Sequence, residues 1–322
     1  MKNIAIIGAG ITGITTAYQL LERGYSVSIF DKNRYAAMET SFANGGQLSA
    51  SHSTPWNSPD APFLMLKWLG KKDAYNQTPR GTILDRVPRD KMPNHCHGVD
   101  IWLGYELSWL SGCGTTIEKP TYKLGELRIP ANSRYIVESK SLKLYFNQFN
   151  FVVFKSDQAF INRIKKDIET LLEVEIMVQL YDATALSITP LEGECIDNEY
   201  PDDQGLQIDS DVEVKTKTVY SHLFRSNCPV TNQPDWASII ITYSGARIRS
   251  GNLLSYLLGY RSHQGLHESC ITTIYSDIMT HCNPSKLMVY GAFTRRGGIA
   301  IHPIRMSDNY SIRIKPIHLL KT

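Results

Sequence analysis

The 322-residue sequence lacks any long run of lysine or arginine, and its formal net charge at pH 7 is only +3. Proteins that bind nucleic acid through its phosphates present a concentrated basic surface. The small, evenly spread charge therefore argues against direct nucleic-acid binding. Single arginines still suffice to bind the phosphate groups of small molecules.

The sequence also lacks a CxxC pair. Its six cysteines are irregularly spaced, at Cys96, Cys113, Cys195, Cys228, Cys270 and Cys282. Such spacing indicates neither a disulfide framework nor a zinc site, and we expect no metal. Reduced thiols of this kind are typical of cytosolic proteins.

No stretch of about 20 apolar residues is present to span a bilayer. The apolar run in MKNIAIIGAGITG continues into a glycine turn and not into a cleavage site. We therefore expect a soluble, cytoplasmic protein without a membrane partner. With 42% hydrophobic residues, the chain is long enough to bury two or three domain cores.

The first 31 residues carry a clear nucleotide-binding pattern. An apolar strand over 3–7 precedes GAGITG, and a helix to Gly24, a second strand over 25–30 and an acid follow. The residues expected to contact a nucleotide are Gly8, Gly10, Gly13 and Asp31. Glycines allow backbone amides to approach a pyrophosphate, and the acid accepts ribose hydroxyls. The pattern predicts a Rossmann-like βαβ segment.

Residues 39–62 are rich in Ser, Asn, Gly and Pro, as in a long loop. With this loop, residues 1–68 resemble the N-terminus of flavin-dependent D-amino acid dehydrogenases. The further strands that such enzymes need are not found, and one βαβ start cannot bury its own helices. We therefore predict a truncated segment, fused to a different protein near LKWLGKKDAY (66–75).

From about Leu69 the sequence shows two rounds of strands and helices. The first round predicts strands near 133–146, a helix over 157–173 with Ser156 as its N-cap, and a strand over 174–180. The second predicts a strand in WASIIITY, helices in GNLLSYLLGY and LHESCITTIYSDIMTHC, and a hairpin in KLMVYGAFTRRGGIAIHPI. This order predicts an α+β fold, with helices on one face of antiparallel sheets.

Four stretches carry residues capable of chemistry, and each has a plain structural alternative. Cys228, in SNCPVTNQPDW, is either a nucleophile, with Asp235 as its proton partner, or a buried thiol beside a loop acid. His267 and Glu268 are either an acid and base pair or the start of a helix.

The other two stretches are VESKSLKLY (137–145) and TRRGGIAIHP (294–303). The pattern of the first stretch predicts an edge strand exposed to solvent. The second is either a hairpin turn or a phosphate clamp with glycines that permit close approach. HCH (95–97) reads as surface histidines.

Together, SNCPVTNQPDW, VESKSLKLYFN, LHES and YGAFTRRGGIAIHP, with DIW and YELSWL upstream, resemble the NADPH-dependent 7-cyano-7-deazaguanine reductases of queuosine biosynthesis. The resemblance covers residues 69–308 and is to the two-module form of that family. It implies two tandem tunnelling-fold modules, over 69–185 and 186–322, and a homodimer. The sequence MSDNYSIRIKPIHLLKT (306–322) matches the family only loosely.

The resemblance implies reduction of a nitrile to an amine with NADPH as cofactor, in a pathway of tRNA modification. Cys228 would form a covalent thioimide, and Asp235 would supply a proton. The implied substrate-binding residues are Val137, Glu138, Ser139, His267 and Glu268. The implied NADPH-binding residues are Ser139, Lys140, Arg296 and Gly297. Because the family has no separate dinucleotide domain, we do not expect GAGITG to bind NADPH.

Two rival interpretations follow from the same residues. One is a flavoprotein that resembles D-amino acid dehydrogenases and uses the nucleotide-binding pattern of residues 1–68. The other is a deazapurine- or pterin-binding protein without catalysis. A missing flavin absorbance would exclude the first, and binding without NADPH consumption would favour the second.

Overall fold

The computed structural model describes residues 3–32, 81–112, 119–182, 187–188, 190–230, 232–307 and 316–319. The chain divides into two compact units, residues 1–69 and residues 70–322. The loop predicted over 39–62 and the proposed junction near 66–75 lie outside the described residues. The boundary predicted between two modules at 185 and 186 stays a prediction.

The described part of the first unit is a strand, a helix and a second strand. These are β1 (Asn3–Ile7), α1 (Ile11–Glu22) and β2 (Ser26–Phe30), and the strands pair in parallel. Gly8 has a φ of 100°, and a β-carbon at Gly13 would collide with the Gly8 carbonyl oxygen, so this turn needs glycine at both positions. The predicted βαβ segment is confirmed.

The second unit is mostly strand. Its strands are β3 (Arg86–Pro88), β4 (Cys96–Ser111), β5 (Lys119–Pro130), β6 (Tyr135–Val137), β7 (Val153–Phe154), β8 (Met177–Tyr181), β9 (Glu194–Cys195), β10 (Ile208–Asn227), β11 (Pro234–Ile248), β12 (Lys286–Phe293) and β13 (Ile299–Ser307). Its α-helices are α2 (Ser139–Asn147), α3 (Asp157–Leu172), α4 (Ser250–Gly259) and α5 (His267–Cys282).

The main sheet has nine strands in the order β8-β5-β4-β13-β12-β11-β10-β9, with β7 beside β4, while β3 and β6 form a separate pair. The long strands pair antiparallel. β13 joins β4 in a register that runs from Ile299 with Gly104 to Ser307 with Cys96. The last hairpin of the second round therefore lies against the first long strand of the first round.

The helices cover one face of the sheet, as the alternation of side chains shows. On β13, Ile299 and Ile301 pack with residues of α2 and α3, whereas Ala300 and Ile304 belong to a cluster on the opposite face. A third cluster joins α4 and α5 to β11 and β12. The predicted α+β class is confirmed. Among the described residues, no helix combines the length and the apolar character needed to cross a bilayer.

One element was predicted wrongly. The strands expected near 133–146 are only β6, after which α2 begins, so VESKSLKLY is not an edge strand. Glu138 caps α2, since its carboxylate accepts the backbone N–H groups of Lys140 and Ser141, at 3.0 and 2.7 Å. Leu142 and Tyr145 are buried beneath this helix. Capping and burial together favour helix over strand.

The strand expected over 174–180 is shorter and begins at Met177. The Ile176 N–H donates to the Glu169 side chain at 3.0 Å, which removes it from the strand ladder. The Ser156 cap of α3 is as predicted, because its hydroxyl accepts the Ala159 N–H at 3.2 Å. The helices of the second round and the hairpin of β12 and β13 are also confirmed.

Candidate active site

Cys228 and Asp235 lie at the same end of the hairpin formed by β10 and β11. The strands are in register up to Ser226 with Asp235 and Asn227 with Pro234. Beyond that point the Cys228 N–H donates to the Gln233 carbonyl at 2.8 Å, and the Asn232 N–H donates to the Cys228 carbonyl at 2.9 Å. Backbone pairing thus places Cys228, half-buried in the loop after β10, and Asp235, at the start of β11, at the same end of the hairpin.

The segment before α5 supports this loop from one side. Asn227 donates its backbone N–H to the His263 carbonyl and its side-chain amide to the Arg261 carbonyl, both at 2.9 Å. The Gly265 N–H returns a bond to the Asn227 carbonyl at 3.1 Å. These contacts fix the backbone immediately before Cys228, as a reacting group requires.

Asp235 is only 3% exposed and lies between two basic side chains. Its Oδ2 is 3.3 Å from His267 Nε2, and its Oδ1 pairs with Arg296 Nη1. Burial pushes the pKa of Asp235 upward, but the hydrogen bonds and charges of His267 and Arg296 outweigh burial and hold it below its usual value. In this site Asp235 is therefore a carboxylate near neutral pH.

Arg296 also contacts the loop. Its Nη2 donates to the Gln233 side-chain oxygen, so one guanidinium bridges Gln233 and Asp235. Because Gln233 also accepts the Cys228 N–H through its carbonyl, Arg296 connects the hairpin of β12 and β13 to the Cys228 loop. No local sequence pattern indicated a role for Gln233, because that role depends on a contact 63 positions away along the chain.

His267 and Glu268 form the first turn of α5, as predicted. The His267 ring stacks on Phe293, with centroids 4.0 Å apart and planes 14° apart. Glu268 is 3% exposed, and burial, followed by the charge of Asp100, raises its pKa. Among the described residues, His267 Nδ1 and Glu268 Oε1 are buried without a hydrogen-bond partner. Buried polar atoms are rarely left so, and the pair is suited to a ligand with polar edges.

The other predicted substrate residues lie at the start of α2. The Glu138 carboxylate already caps this helix, although each of its oxygens can accept a second hydrogen bond. Ser139 is exposed. The Val137 side chain is 1% exposed and packs in the core, so only its backbone is placed to meet a ligand.

The predicted cofactor residues Arg296 and Gly297 occupy the turn between β12 and β13. Gly297 has a φ of 60°, and a β-carbon there would collide with the Lys143 side chain of α2. This contact brings the helix that carries Ser139 and Lys140 next to the turn. Lys143, which was not predicted as a site residue, adds a positive charge there, and such a cluster of cations suits a phosphate group.

In the first unit, one backbone N–H group of the nucleotide-binding turn already donates a hydrogen bond to a side chain of the same chain. The Asp31 carboxylate accepts the Ala9 N–H at 2.6 Å, between the predicted contacts Gly8 and Gly10.

In the second unit, His95 and His97 are exposed, as predicted. No group of histidine, cysteine and acidic residues in the described ranges is arranged to hold a metal ion.

Comparison with known proteins identifies the second unit. The nitrile reductase family, described as the N-terminal part of 7-cyano-7-deazaguanine reductase, matches residues 73–180, and a QueF-like protein family matches residues 234–311. A reductase of Acinetobacter baylyi named NADPH-dependent 7-cyano-7-deazaguanine reductase is 40% identical, over 74% of this chain and 93% of its own length. This chain belongs to the family of NADPH-dependent 7-cyano-7-deazaguanine reductases.

Other proteins of the same name are also similar to this chain. Proteins of the same name from Acinetobacter baumannii and Buchnera aphidicola are 38% and 42% identical, over 97% and 84% of their lengths. An apo crystal structure of an archaeosine synthase QueF-Like covers 30% of this chain, with a TM-score of 0.29 and 17% identity. An NAD(P)-binding Rossmann-like domain family matches residues 6–56. The resemblance seen in the sequence is confirmed for the second unit.

Proposed function

We propose that this chain reduces the nitrile of 7-cyano-7-deazaguanine to 7-aminomethyl-7-deazaguanine with NADPH, in the biosynthesis of queuosine for tRNA. One observation carries the proposal. The half-buried Cys228, in the loop after β10, and the buried Asp235, at the start of β11, lie at one end of the hairpin, against a helix start where His267 Nδ1 and Glu268 Oε1 lack partners among the described residues. Relatives named for this activity match the chain over nearly their whole length.

The first step is addition of the Cys228 thiol across the carbon–nitrogen triple bond. The sulfur bonds to carbon and the nitrogen gains a proton, which gives a thioimide and releases no leaving group. A thiol reacts as its thiolate, so Cys228 must first give up its proton. The fixed backbone on both sides of Cys228 holds the sulfur in one place for this attack.

The proton for the nitrile nitrogen comes from the hydrogen-bonded pair of Asp235 and His267. Because its two basic neighbours hold the pKa of Asp235 low, Asp235 alone is rarely protonated near neutral pH. His267 Nε2, at 3.3 Å, is the neighbouring proton carrier. Asp235 orients this ring and passes the proton on as charge develops on nitrogen.

The deazaguanine ring presents N–H donors, which carboxyl oxygens can accept. Glu268 Oε1 and the second lone pairs of Glu138 are the acceptors, with Val137 and Ser139 contributing through the backbone and hydroxyl. These groups hold the ring with its nitrile toward Cys228.

The residues of the turn between β12 and β13 fit the cofactor. Arg296, Lys140 and Lys143 offer cations to a phosphate, and the Ser139 hydroxyl can donate to it. The positive φ of Gly297 allows the turn to pass close to Lys143. Each NADPH supplies one hydride, so two NADPH molecules, bound in turn, would supply the two hydrides that the conversion of a nitrile to an amine requires. Breaking the carbon–sulfur bond between the two transfers returns Cys228.

The enzyme acts as a cytoplasmic homodimer, as expected for the family and for the commonest closed symmetry. Residues 1–68 are a truncated dinucleotide-binding segment fused to the reductase, and they do not bind the NADPH that reacts. The alternative flavoprotein function rests on the βαβ segment and the Rossmann-like match over residues 6–56, both in the first unit.

Replacing Cys228 with Ala tests the proposal. We expect the variant to lose both NADPH oxidation that depends on 7-cyano-7-deazaguanine and the covalent adduct visible by mass spectrometry of the intact protein. Cys195→Ala, at an exposed cysteine, is the matched control and should retain both. Turnover by Cys228→Ala would disprove the mechanism, and binding without NADPH oxidation by the unmodified chain would favour a non-catalytic binder.

A further inference from the structure

Phe293, the last residue of β12, carries the flat surface on which the His267 ring lies. The two ring centroids are 4.0 Å apart and the planes differ by 14°, so the rings are stacked. Phe293 is 0% exposed and belongs to the core cluster that joins α4 and α5 to β11 and β12. Because a buried ring cannot move without repacking its neighbours, Phe293 gives the histidine a rigid support.

Two neighbours fix the position of the Phe293 ring. Phe224 of β10 meets it edge to face, with centroids 5.9 Å apart and planes at 89°. Gly291 leaves space for it, because a β-carbon there would lie 3.0 Å from Phe293 Cε2 and 2.6 Å from Ile271 Cδ1. Ile271 lies one helical turn after His267 on α5. The first turns of α5 therefore pack directly on this end of β12.

Strand register brings Asp235 to the same face of the sheet as Phe293. Phe293 pairs with Ala237 of β11, and Asp235 lies two residues before Ala237, so the three side chains share one face. His267 Nε2 is 3.3 Å from Asp235 Oδ2. The stacking thus fixes the plane of the histidine ring at the point where Nε2 approaches the carboxylate.

Charged and titratable groups from several elements surround His267. Glu268 follows it on α5, Asp235 lies on β11, and Arg296, in the turn after β12, pairs with the same Asp235. His302 of β13 stays neutral near pH 7, since burial lowers its pKa to about 3. Asp235 is the acid that pairs with His267 Nε2.

The stacked arrangement also suits a histidine that carries a proton. The face of an aromatic ring is negative, so a cation that lies over it is attracted. In the proposed mechanism, His267 is positively charged just before it gives its proton to Asp235. The Phe293 face therefore stabilises the proton donor.

We propose that Phe293 is a positioning residue for proton transfer, which holds the His267 ring with Nε2 toward Asp235 and stabilises the positive charge of that ring. This inference rests on the proposed function and deepens it. The proton that leaves Nε2 reaches the nitrile nitrogen through Asp235, and the proton given up by the Cys228 thiol balances it. Phe293 acts through His267 and takes no part in the bond changes.

The test follows the rate at which 7-cyano-7-deazaguanine forms the covalent adduct, by mass spectrometry of the intact protein without NADPH. Phe293→Leu keeps an apolar side chain but loses the flat ring, and we expect its adduct to form roughly tenfold more slowly. The dissociation constant of the nitrile, measured by calorimetry in a Cys228→Ala background that cannot form the adduct, should change by less than about threefold. The two measurements separate proton transfer from binding.

Phe160→Leu is the matched control. Phe160 is also buried and stacked, on Trp109, with centroids 3.9 Å apart and planes at 21°, but its partner ring does not titrate. This variant should lose a similar amount of thermal stability and form the adduct at the rate of the unmodified chain. Equal slowing in both variants would mean that the lost ring acts only through stability. That outcome, or an unchanged rate in Phe293→Leu, would overturn the inference.

If Phe293→Leu fails to fold, replacement of Phe293 by pentafluorophenylalanine answers the same question. The fluorinated ring keeps its flat shape, but its face no longer attracts a positive charge. We expect adduct formation to slow by about threefold or more, and an unaltered rate would reject the role of Phe293. Failure of the unmodified chain to form any adduct would instead count against the proposed function.

Discussion

At the scale of single residues, the site is defined by how Asp235 is surrounded. A loop acid with ordinary exposure would offer little to a reaction, whereas Asp235 is buried between His267 and Arg296. Its low pKa also means that the carboxylate stabilises the folded chain above about pH 4, the value typical of an unfolded aspartate. That stability is lost as the pH falls through the lower pKa of the folded state.

Replacing Asp235 with Asn should therefore separate chemistry from binding. The amide keeps the shape but cannot carry a proton or balance His267 and Arg296, so we expect kcat to fall by about 100-fold or more. Affinity for the nitrile in the Cys228→Ala background should change by less than about tenfold, because Asp235 is not among the groups expected to hold the ring. A variant with near-normal kcat would remove Asp235 from the mechanism. The stability gained by the parent over this variant at neutral pH should vanish in acid.

At the scale of secondary structure elements, the strength of the local signal decided what could be predicted. α3 has apolar residues at helical spacing and a serine cap, and it was predicted correctly. α2 has nine residues, and its cap is Glu138, a residue type that rarely caps helices. Its sequence alone favoured a strand. Arg305 and Asp100 lie 205 positions apart, and no local pattern shows that two such charges will meet in the core.

The caps of α2 and α3 offer a matched pair of variants. Glu138→Ala and Ser156→Ala each remove side-chain acceptors from a helix start, and each should cost about 1 kcal/mol of unfolding free energy. Only Glu138→Ala should also weaken binding of the nitrile, because Glu138 is assigned a second role as a substrate acceptor. Chemical denaturation measures the first effect and calorimetry the second. If both variants bind the nitrile with the same affinity, Glu138 serves only as a helix cap and is not a substrate acceptor.

At the scale of the whole molecule, two compact units share one chain, and only the second matches the reductase relatives. The sequence predicted this division because the glycine pattern and the cysteine loop belong to different families. It could not predict that β13 would pair with β4, which places Arg296, α2 and α5 around one site. Pairing between strands about 200 positions apart depends on the whole fold and not on local sequence.

Removal of residues 1–68 decides whether the first unit takes part in catalysis. Every residue proposed to bind NADPH lies in the second unit, so we expect kcat, the KM for NADPH and the oligomer size to stay within about twofold of the full chain. Gly13→Ala is a milder companion variant, since its β-carbon would collide with the Gly8 carbonyl and disturb the nucleotide-binding turn in place. Steady-state kinetics and light scattering would measure both. A large rise in the KM for NADPH in either variant would move cofactor binding to the GAGITG turn and overturn the assignment to Arg296 and Gly297.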